Sequence, residues 1–371
     1  MYDTPSYERY SRQLILKGFG EAGQEKLSRA KVLVIGAGGL GCPVMLYLAA
    51  AGVGTIAVMD DDTVELNNLH RQPIYNMDDI GKLKTERAVT FLNKLNPDIH
   101  VHPFSQRLTP LIALEILNEF DIIIDCTDNF SSRYLINDAS VILNKPLVYG
   151  AVSQYEGQLS VFNVQQKDIE SVNYRDLFPE PPFDREVLSC AEAGVLGVVP
   201  GIIGSMQASE TIKLITGIGR PLINRLYVYN ALNNQGYEFI IQKRKGSRSF
   251  IPENQEAFRR TDYDGLCEKT DQRIEISAEE FETWIKSGSA RVIDVREYGE
   301  EPAVSEFIHE RIPLSQLSDK IIITGEEPIL FFCQSGIRST QAVQWMINKY
   351  GKAKKVYCLK GGILNYKNHL V

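Results

Sequence analysis

Residues 31–60 read KVLVIGAGGLGCPVMLYLAAAGVGTIAVMD. KVLVI is a short β-branched run that stops on a cluster of glycines, and residues 43–51 are apolar without alternation, the texture of a helix packed on a sheet. TIAVMD returns to strand texture and ends on Asp60. Strand, glycine turn, buried helix and strand make the opening βαβ unit of a doubly wound sheet. Gly36, Gly38, Gly39 and Gly41 permit a tight turn and let backbone N–H groups approach a phosphate at a helix N-terminus, where the helix dipole favours an anion. Asp60 comes about 20 residues later, where a carboxylate accepts hydrogen bonds from ribose hydroxyls. These features alone fit NAD and ATP equally.

Working outward, further buried strands are expected at 99–103, 121–125 and 146–150, with helices at 85–95, 111–119 and 131–144. After Gly150 the pattern becomes hairpin-like, with antiparallel strands expected at 158–163, 225–230 and 236–242 around an apolar helix at 201–216. The expected class is α/β, with a Rossmann-like doubly wound sheet and an antiparallel extension filling residues 1–245. Residues 246–273 are polar, charged and irregular, and are expected to form a linker. A second small α/β unit is expected over 274–371, with strands at 290–295, 328–333 and 355–359 and helices at 278–286 and 339–349.

The 371 residues are 44% hydrophobic and 23% charged, enough for two cored domains of ordinary globular composition. A net charge of -7 argues against nucleic acid as the main partner, since phosphate neutralisation needs a basic face. The N-terminal MYDTPSYERY has no charged-then-apolar signal pattern, and the apolar runs are broken by Gly and Pro and too short to span a bilayer. The expectation is a cytoplasmic protein. Six scattered cysteines do not resemble a secreted disulfide framework, which turns attention to reactive thiols.

The residues after the glycine turn separate the nucleotide chemistries. Arg71 and Lys84 are cations just downstream of Asp60, suited to a triphosphate and to charge developing at its α-phosphate. Asp128 lies at a strand end in DCTDN (125–129), where a carboxylate can hold Mg²⁺. Each charge taken alone also reads as a solvated surface residue; their joint occurrence at strand ends does not. The stretch from RYSRQ (9–13) through MDDDTVELNNLHRQ (59–72), DCTDN, LSCAEAGV (188–195) and GSMQASETIK (204–213) resembles the MoeB/ThiF family, relatives of ubiquitin-activating enzymes, over about the first 240 residues.

That resemblance implies ATP-dependent adenylation of the C-terminal Gly-Gly carboxylate of a ubiquitin-like sulfur carrier protein. It implies ATP contacts at Gly39, Asp60, Asn67, Asn68, Arg71, Lys84, Asp128 and Asn129. It also implies that Arg12 reaches the ATP of a neighbouring subunit, so that the active form is a homodimer. A carboxylate is a poor electrophile; attack on the α-phosphate expels pyrophosphate and leaves an acyl-adenylate. Arg12, Arg71, Lys84 and Mg²⁺ would offset the anionic charge at transfer.

A second chemistry sits near the C-terminus. Cys333 follows an apolar strand and opens the loop CQSGIRS (333–339), in which N–H donors at a helix N-terminus, with Arg338 inside the loop, suit a thiolate or persulfide anion. Cys333 and Arg338 are separated by four residues, where Cys-based phosphatases carry five. With IDVRE (293–297) and KGGI (360–363), the region from 274 onward resembles rhodanese-like sulfurtransferases. A buried structural cysteine, a phosphatase-like loop and a non-catalytic docking module are the competing readings. The fusion implies successive steps, with a Cys333 persulfide attacking the acyl-adenylate to leave a thiocarboxylate on the carrier. The rhodanese fusion favours a molybdopterin-type carrier, as in molybdenum cofactor biosynthesis, over a thiamine-type one; the sulfur donor could be a cysteine desulfurase or thiosulfate.

Cys190, in LSCAEAGV, stands where the family resemblance implies a cysteine able to form a covalent intermediate or resolve a disulfide; its small neighbours also suit a merely packed thiol. Cys42, Cys126 and Cys358 fall in expected core segments. Many members of the resembled family hold structural zinc with two C-x-x-C pairs. Here the first position reads NYRD (173–176) and a candidate for the second reads DGLC (264–267), too few thiols for a tetrahedral thiolate site. No zinc is expected, and residues 173–184 are expected to be held less firmly. The reading from a different class, an NAD-dependent oxidoreductase, needs a catalytic His or Lys in a hydride-transfer context that the five histidines do not provide.

Overall fold

The computed structural model describes residues 4–165, 170–181, 194–267, 274–321, 327–350 and 355–369. The chain forms two compact units, Met1–Glu268 and Lys269–Val371.

The first unit is built on eight strands: β1 (Lys31–Ile35), β2 (Thr55–Met59), β3 (His100–Phe104), β4 (Ile122–Asp125), β5 (Leu147–Ser153), β6 (Glu156–Phe162), β7 (Arg225–Asn230) and β8 (Gln235–Ile240). Their order is β3-β2-β1-β4-β5-β6-β7-β8. The pairs up to β5 are parallel and those from β5 to β8 antiparallel, the doubly wound sheet and extension expected from sequence. Two helices not anticipated from sequence, α1 (Thr4–Leu14) and α2 (Gly20–Arg29), precede β1. Between the strands lie α3 (Gly41–Ala51), α4 (Lys84–Leu95), α5 (Pro110–Asn118), α6 (Phe130–Leu143), a single turn α7 (Tyr174–Leu177) and α8 (Val198–Thr216). Apolar strands covered on both faces need no polar alternation, and β1 and β4 accordingly read VLVI and III.

Register positions the site. Ile35 sits opposite both Met59 and Asp125, so β1, β2 and β4 end level and deliver the glycine turn, Asp60 and DCTDN to one edge of the sheet. The chain order reverses direction between β1 and β4, the switch point where open α/β sheets leave a crevice for ligands. Gly36 has φ +99°, and a Cβ there would stand 2.7 Å from the Cys126 carbonyl oxygen; only glycine lets the two loops approach so closely. From α8 the buried Gln207 donates to the Asp125 carbonyl oxygen at 2.8 Å, tying the end of β4 to the covering helix.

The expected linker at 246–273 is corrected by the structure. Residues 255–267 form α9 (Gln255–Arg260) and α10 (Tyr263–Cys267), which belong to the first unit. Phe258 and Tyr263 are buried in the core around Leu135, Tyr134 and Phe162, and the Tyr263 hydroxyl donates to Asp138 at 2.9 Å. Two aromatic anchors suffice to dock an otherwise polar segment, which is why its composition reads as a linker.

The second unit has five parallel strands: β9 (Glu275–Ile276), β10 (Arg291–Asp294), β11 (Glu310–Arg311), β12 (Ile329–Phe332) and β13 (Val356–Leu359), in the order β11-β10-β12-β13-β9. Its helices are α11 (Ala278–Ser287), the short α12 (Leu317–Lys320), α13 (Ile337–Tyr350) and α14 (Gly362–His369). Phe281, Phe307, Phe332 and Tyr366 meet edge to face on one side of the sheet. At the end of β10 the buried Asp294 accepts from Arg296 and Arg311, each at 2.7 Å. Burial pushes Asp294 up, but the two guanidinium groups outweigh it and hold the carboxyl below its ordinary value. Among the described residues no helix is long and apolar enough to cross a membrane.

Candidate active sites

The crevice at the β1/β4 switch encloses a cavity of about 610 Å³, a volume that suits a nucleotide. Gly36, Gly38, Gly39, Asp60, Asn67, Asn68, Arg71, Lys84, Asp128 and Asn129 all line it. Gly41 does not: it begins α3, and a Cβ there would lie 2.0 Å from the Gly36 carbonyl oxygen, so its role is to close the turn. Arg12 lies exposed on α1 and is not part of the lining.

Asp60 is fixed by the turn itself. One carboxylate oxygen accepts from the Ala37 N–H at 2.7 Å and the other from the Asp62 N–H at 2.8 Å. Burial pushes its pKa up, with Lys84 opposing. Lys84 opens α4 with its side chain buried, and its Nζ pairs with Asp62 at 2.7 Å. Arg71 donates to the Asn67 carbonyl oxygen at 2.8 Å. Asn68 accepts from the Glu65 N–H at 3.2 Å and donates to the Asn67 side chain at 2.6 Å, which braces the cavity rim. Asn129 caps α6 by accepting from the Ser132 N–H at 2.9 Å, and so leaves Asp128 exposed at the mouth of the helix.

Three lining residues escape a sequence reading. Asp62 anchors Lys84 yet looks like one more acid in MDDDT. Arg133 is buried on α6; its Nη2 donates to the Thr127 carbonyl oxygen at 3.1 Å and its guanidinium lies 5.6 Å from the Tyr149 ring centre. Beneath it Asp125 accepts from the Thr127 N–H and hydroxyl; burial pushes Asp125 up and Arg133 opposes. In sequence Arg133 is an ordinary charge in an amphipathic helix. Gln72 is buried, with its Oε1 lacking a hydrogen-bond partner among the described residues, an acceptor that a ligand N–H would satisfy. Carboxylate oxygens of Asp60, Asp61 and Asp62 lie within 4.8 Å of one another, and Asp128 lines the same cavity, so hard oxygen donors fit for Mg²⁺ are at hand.

The zinc positions hold a different structure. Asp176 has a fully buried carboxylate that accepts from the Asn173 N–H and side-chain amide, Lys243 Nζ, the Arg244 N–H and the Ser247 hydroxyl at 2.5–3.1 Å. With its lone pairs engaged and a lysine against it, this set does not fit a zinc ion. DGLC lies on α10, where Asp264 pairs with Arg107 at 2.7 Å. The expected looseness of residues 173–184 is likewise corrected for its first part, since Val172, Asn173, Tyr174 and Arg175 are buried. Arg175 forms a two-toothed pair with Asp138, both bonds at 2.7 Å.

In the second unit Cys333 directly follows β12 and is buried, with its Sγ accepting from the Gly336 N–H at 3.2 Å and lying 3.5 Å from the Ser339 hydroxyl. Gly336 has φ +99° and turns the loop into α13. A Cβ on Gly362 would stand 2.6 Å from the Cys333 carbonyl oxygen, which accounts for the glycines of KGGI packing on the loop. Arg338 lies in the loop as expected and has a partner the sequence does not show: both of its Nη atoms bind the Glu300 carboxylate, at 2.5 and 2.7 Å. Cys190 lies outside the described residues.

Residues 10–249 match the ThiF family and residues 277–369 the rhodanese-like domain. The chain is 40% identical to the probable adenylyltransferase/sulfurtransferase MoeZ of Mycobacterium tuberculosis, over 98% of this chain and 93% of that protein. It is 50% identical to the sulfur carrier protein adenylyltransferase of Thermus thermophilus, over 61% of this chain and 83% of that one. Among solved structures E. coli MccB superposes with a TM-score of 0.56 at 22% identity, covering 65% of this chain and 71% of that one, a likeness of fold.

Proposed function

Because the chain belongs to the ThiF family and carries a C-terminal rhodanese-like domain, we propose that it adenylates the C-terminal Gly-Gly carboxylate of a ubiquitin-like sulfur carrier protein and then converts it to a thiocarboxylate. The observation that carries this reading is the gathering of the glycine turn, Asp60, Arg71, the Asp62-braced Lys84 and Asp128 around one cavity at the switch point. ATP binds there with its ribose at Asp60 and its phosphates towards the glycine turn. The carrier carboxylate attacks the α-phosphate, the bond to pyrophosphate breaks, and Arg71 and Lys84 offset the charge that develops. Asp128 would hold Mg²⁺, which would supply further neutralisation of the phosphates. The active form is a homodimer in which Arg12 of one protomer serves the other's ATP, and the protein works in the cytoplasm.

In the second half-reaction the terminal sulfur of a Cys333 persulfide attacks the acyl-adenylate carbonyl and AMP leaves. A thiol, for which Cys190 is the candidate, then attacks Cys333 Sγ of the acyl disulfide. This releases the thiocarboxylate and leaves a disulfide that an external dithiol reduces. The carrier is of the molybdopterin type, the thiamine type being the alternative, and a cysteine desulfurase or thiosulfate supplies the sulfur. ATP–pyrophosphate exchange with one purified carrier of each type, with Asp128→Ala as control, tests the first step. Exchange with the molybdopterin-type carrier, abolished in the control, is expected. Exchange with the thiamine-type carrier alone reassigns the pathway, and exchange with neither overturns the reading.

A further inference from the structure

The sulfur site of the second unit is unusual in the disposition of its charges. Cys333 Sγ is stabilised by the Gly336 N–H, but the nearby cation, Arg338, is occupied by Glu300 through two hydrogen bonds of 2.5 and 2.7 Å. The hydrogen bonds from Arg338 hold the Glu300 carboxyl down to about 2, against burial that pushes it up, so Glu300 stays ionised and able to pair with Arg338 at neutral pH. The segment bearing Glu300 reads REYGEEP (296–302), and its neighbours Glu297 and Glu301 add charge of the same sign. Glu301 approaches the active loop itself, its carbonyl oxygen accepting from the Gln334 amide at 3.5 Å. Apolar side chains stand exposed beside these acids: Tyr298 in the same segment, with Lys320 Nζ 5.8 Å from its ring centre, Ile337 in the active loop, and Leu364, whose N–H donates to the Gln334 carbonyl oxygen.

We propose that Glu300 sets the donor specificity of the sulfur site: by holding Arg338 in a two-toothed pair within an acidic, apolar rim, it disfavours small dianionic donors such as thiosulfate and selects a persulfide presented by a protein with a basic surface. The inference rests on the sulfurtransferase reading of Cys333 and names the donor class for that site. In the loading step the Cys333 thiolate attacks the outer sulfur of the donor persulfide, the donor's S–S bond breaks, and the donor thiolate leaves. The sulfur moves without net oxidation, and Cys333 becomes the persulfide. With thiosulfate the same attack would expel sulfite, but the incoming dianion would have to displace the Glu300 carboxylate from Arg338 before that guanidinium could receive it. Glu300 is a positioning residue in this scheme; it acts through Arg338.

The test is persulfide formation on Cys333 of the full-length protein, read by intact-mass measurement. The two donors are thiosulfate and a cysteine desulfurase supplied with cysteine, each tested at low and high salt. In the parent, salt should lower the KM for thiosulfate by screening repulsion and weaken loading from the desulfurase. Glu300→Gln should lower the thiosulfate KM about tenfold with kcat little changed, and reduce desulfurase loading, while Glu300→Asp keeps the parental preference. Unchanged ATP–pyrophosphate exchange by the first unit would serve as the check that each variant is intact. A parent whose thiosulfate KM rises with salt, or a Glu300→Gln variant with the parental KM for both donors, overturns the donor assignment. Failure of Cys333 to acquire sulfur from either donor would instead sink the sulfurtransferase reading on which it rests.

Discussion

At the scale of single residues the cavity depends on charges whose neighbours matter as much as they do. Lys84 is buried and held by Asp62, so its ammonium is placed before a nucleotide arrives. Lys84→Ala should lower the kcat of pyrophosphate exchange by about 10²–10³, the usual cost of removing one preorganised group that meets developing charge. Asp62→Asn should show a smaller loss in the same assay; equal exchange rates in parent and both variants would remove Lys84 from the mechanism. Arg133 supports the turn that carries Asp128 from below, bonding Thr127 and countering Asp125. Arg133→Lys keeps the charge but loses the planar fork, and is expected to reduce exchange mainly through kcat. A raised ATP KM with unchanged kcat would argue instead for a direct nucleotide contact. Asp60, Arg71, Lys84 and Asp128 were legible in the sequence because each is a charge placed where a strand or its loop meets the crevice. Asp62, Arg133 and Gln72 were not, because their roles arise from what folds against them. Arg338 was placed in the right loop but not against its partner: Glu300 is 38 positions away, and sequence spacing carries no trace of that pairing.

At the scale of elements the strands of the first unit and the three longer strands of the second were readable to within a few residues, since apolar runs bounded by glycines and prolines mark buried strands well, whereas the two-residue strands β9 and β11 leave no such run. The loop-to-loop staples were not readable. Asp176 joins α7 to the 243–247 stretch with a lysine, a serine and backbone amides, none of which forms a motif. Asp176→Ala should destabilise the first unit by about 3 kcal/mol, because it leaves several buried donors without an acceptor. Thermal melts of parent and variant measure this directly. The parent's melting temperature is expected to be indifferent to a strong zinc chelator, and a fall on chelation would contradict the structure drawn around Asp176. In the second unit, Asp294→Asn removes the charge that two guanidinium groups share, one of them fully buried. The folded-state pKa of Asp294 is depressed, so its stabilising contribution is present above the unfolded carboxyl value and is lost as pH falls through the folded one. The variant should therefore lose stability at neutral pH and differ less from the parent in strong acid.

At the scale of the whole molecule the boundary of the first unit decides what a working adenylating fragment contains. Composition places the end of the domain near residue 245, because the next stretch is polar and irregular, whereas the folded unit runs on through α10. The added segment is held by Phe258, which is fully buried, by Tyr263 bonded to Asp138, and by the Arg107–Asp264 pair. It contributes through buried aromatic area far more than through the exposed ion pair. Arg107 also lines the cavity at the switch point, so the segment that binds it lies against the wall of the proposed adenylating site. A fragment ending at 245 would expose the core face around Leu135 and Tyr134 and leave Asp138 and Arg107 without these partners. Loss of Phe258 alone, as Phe258→Ala in the full chain, should cost about 3–5 kcal/mol, a large part of the margin by which a domain is stable. A fragment of residues 1–267 is therefore expected to melt cooperatively and to support pyrophosphate exchange, while one of residues 1–245 melts well below it or aggregates. Equal melting temperatures for the two fragments, together with a near-neutral Phe258→Ala, would show that the segment rests on the unit without stabilising it.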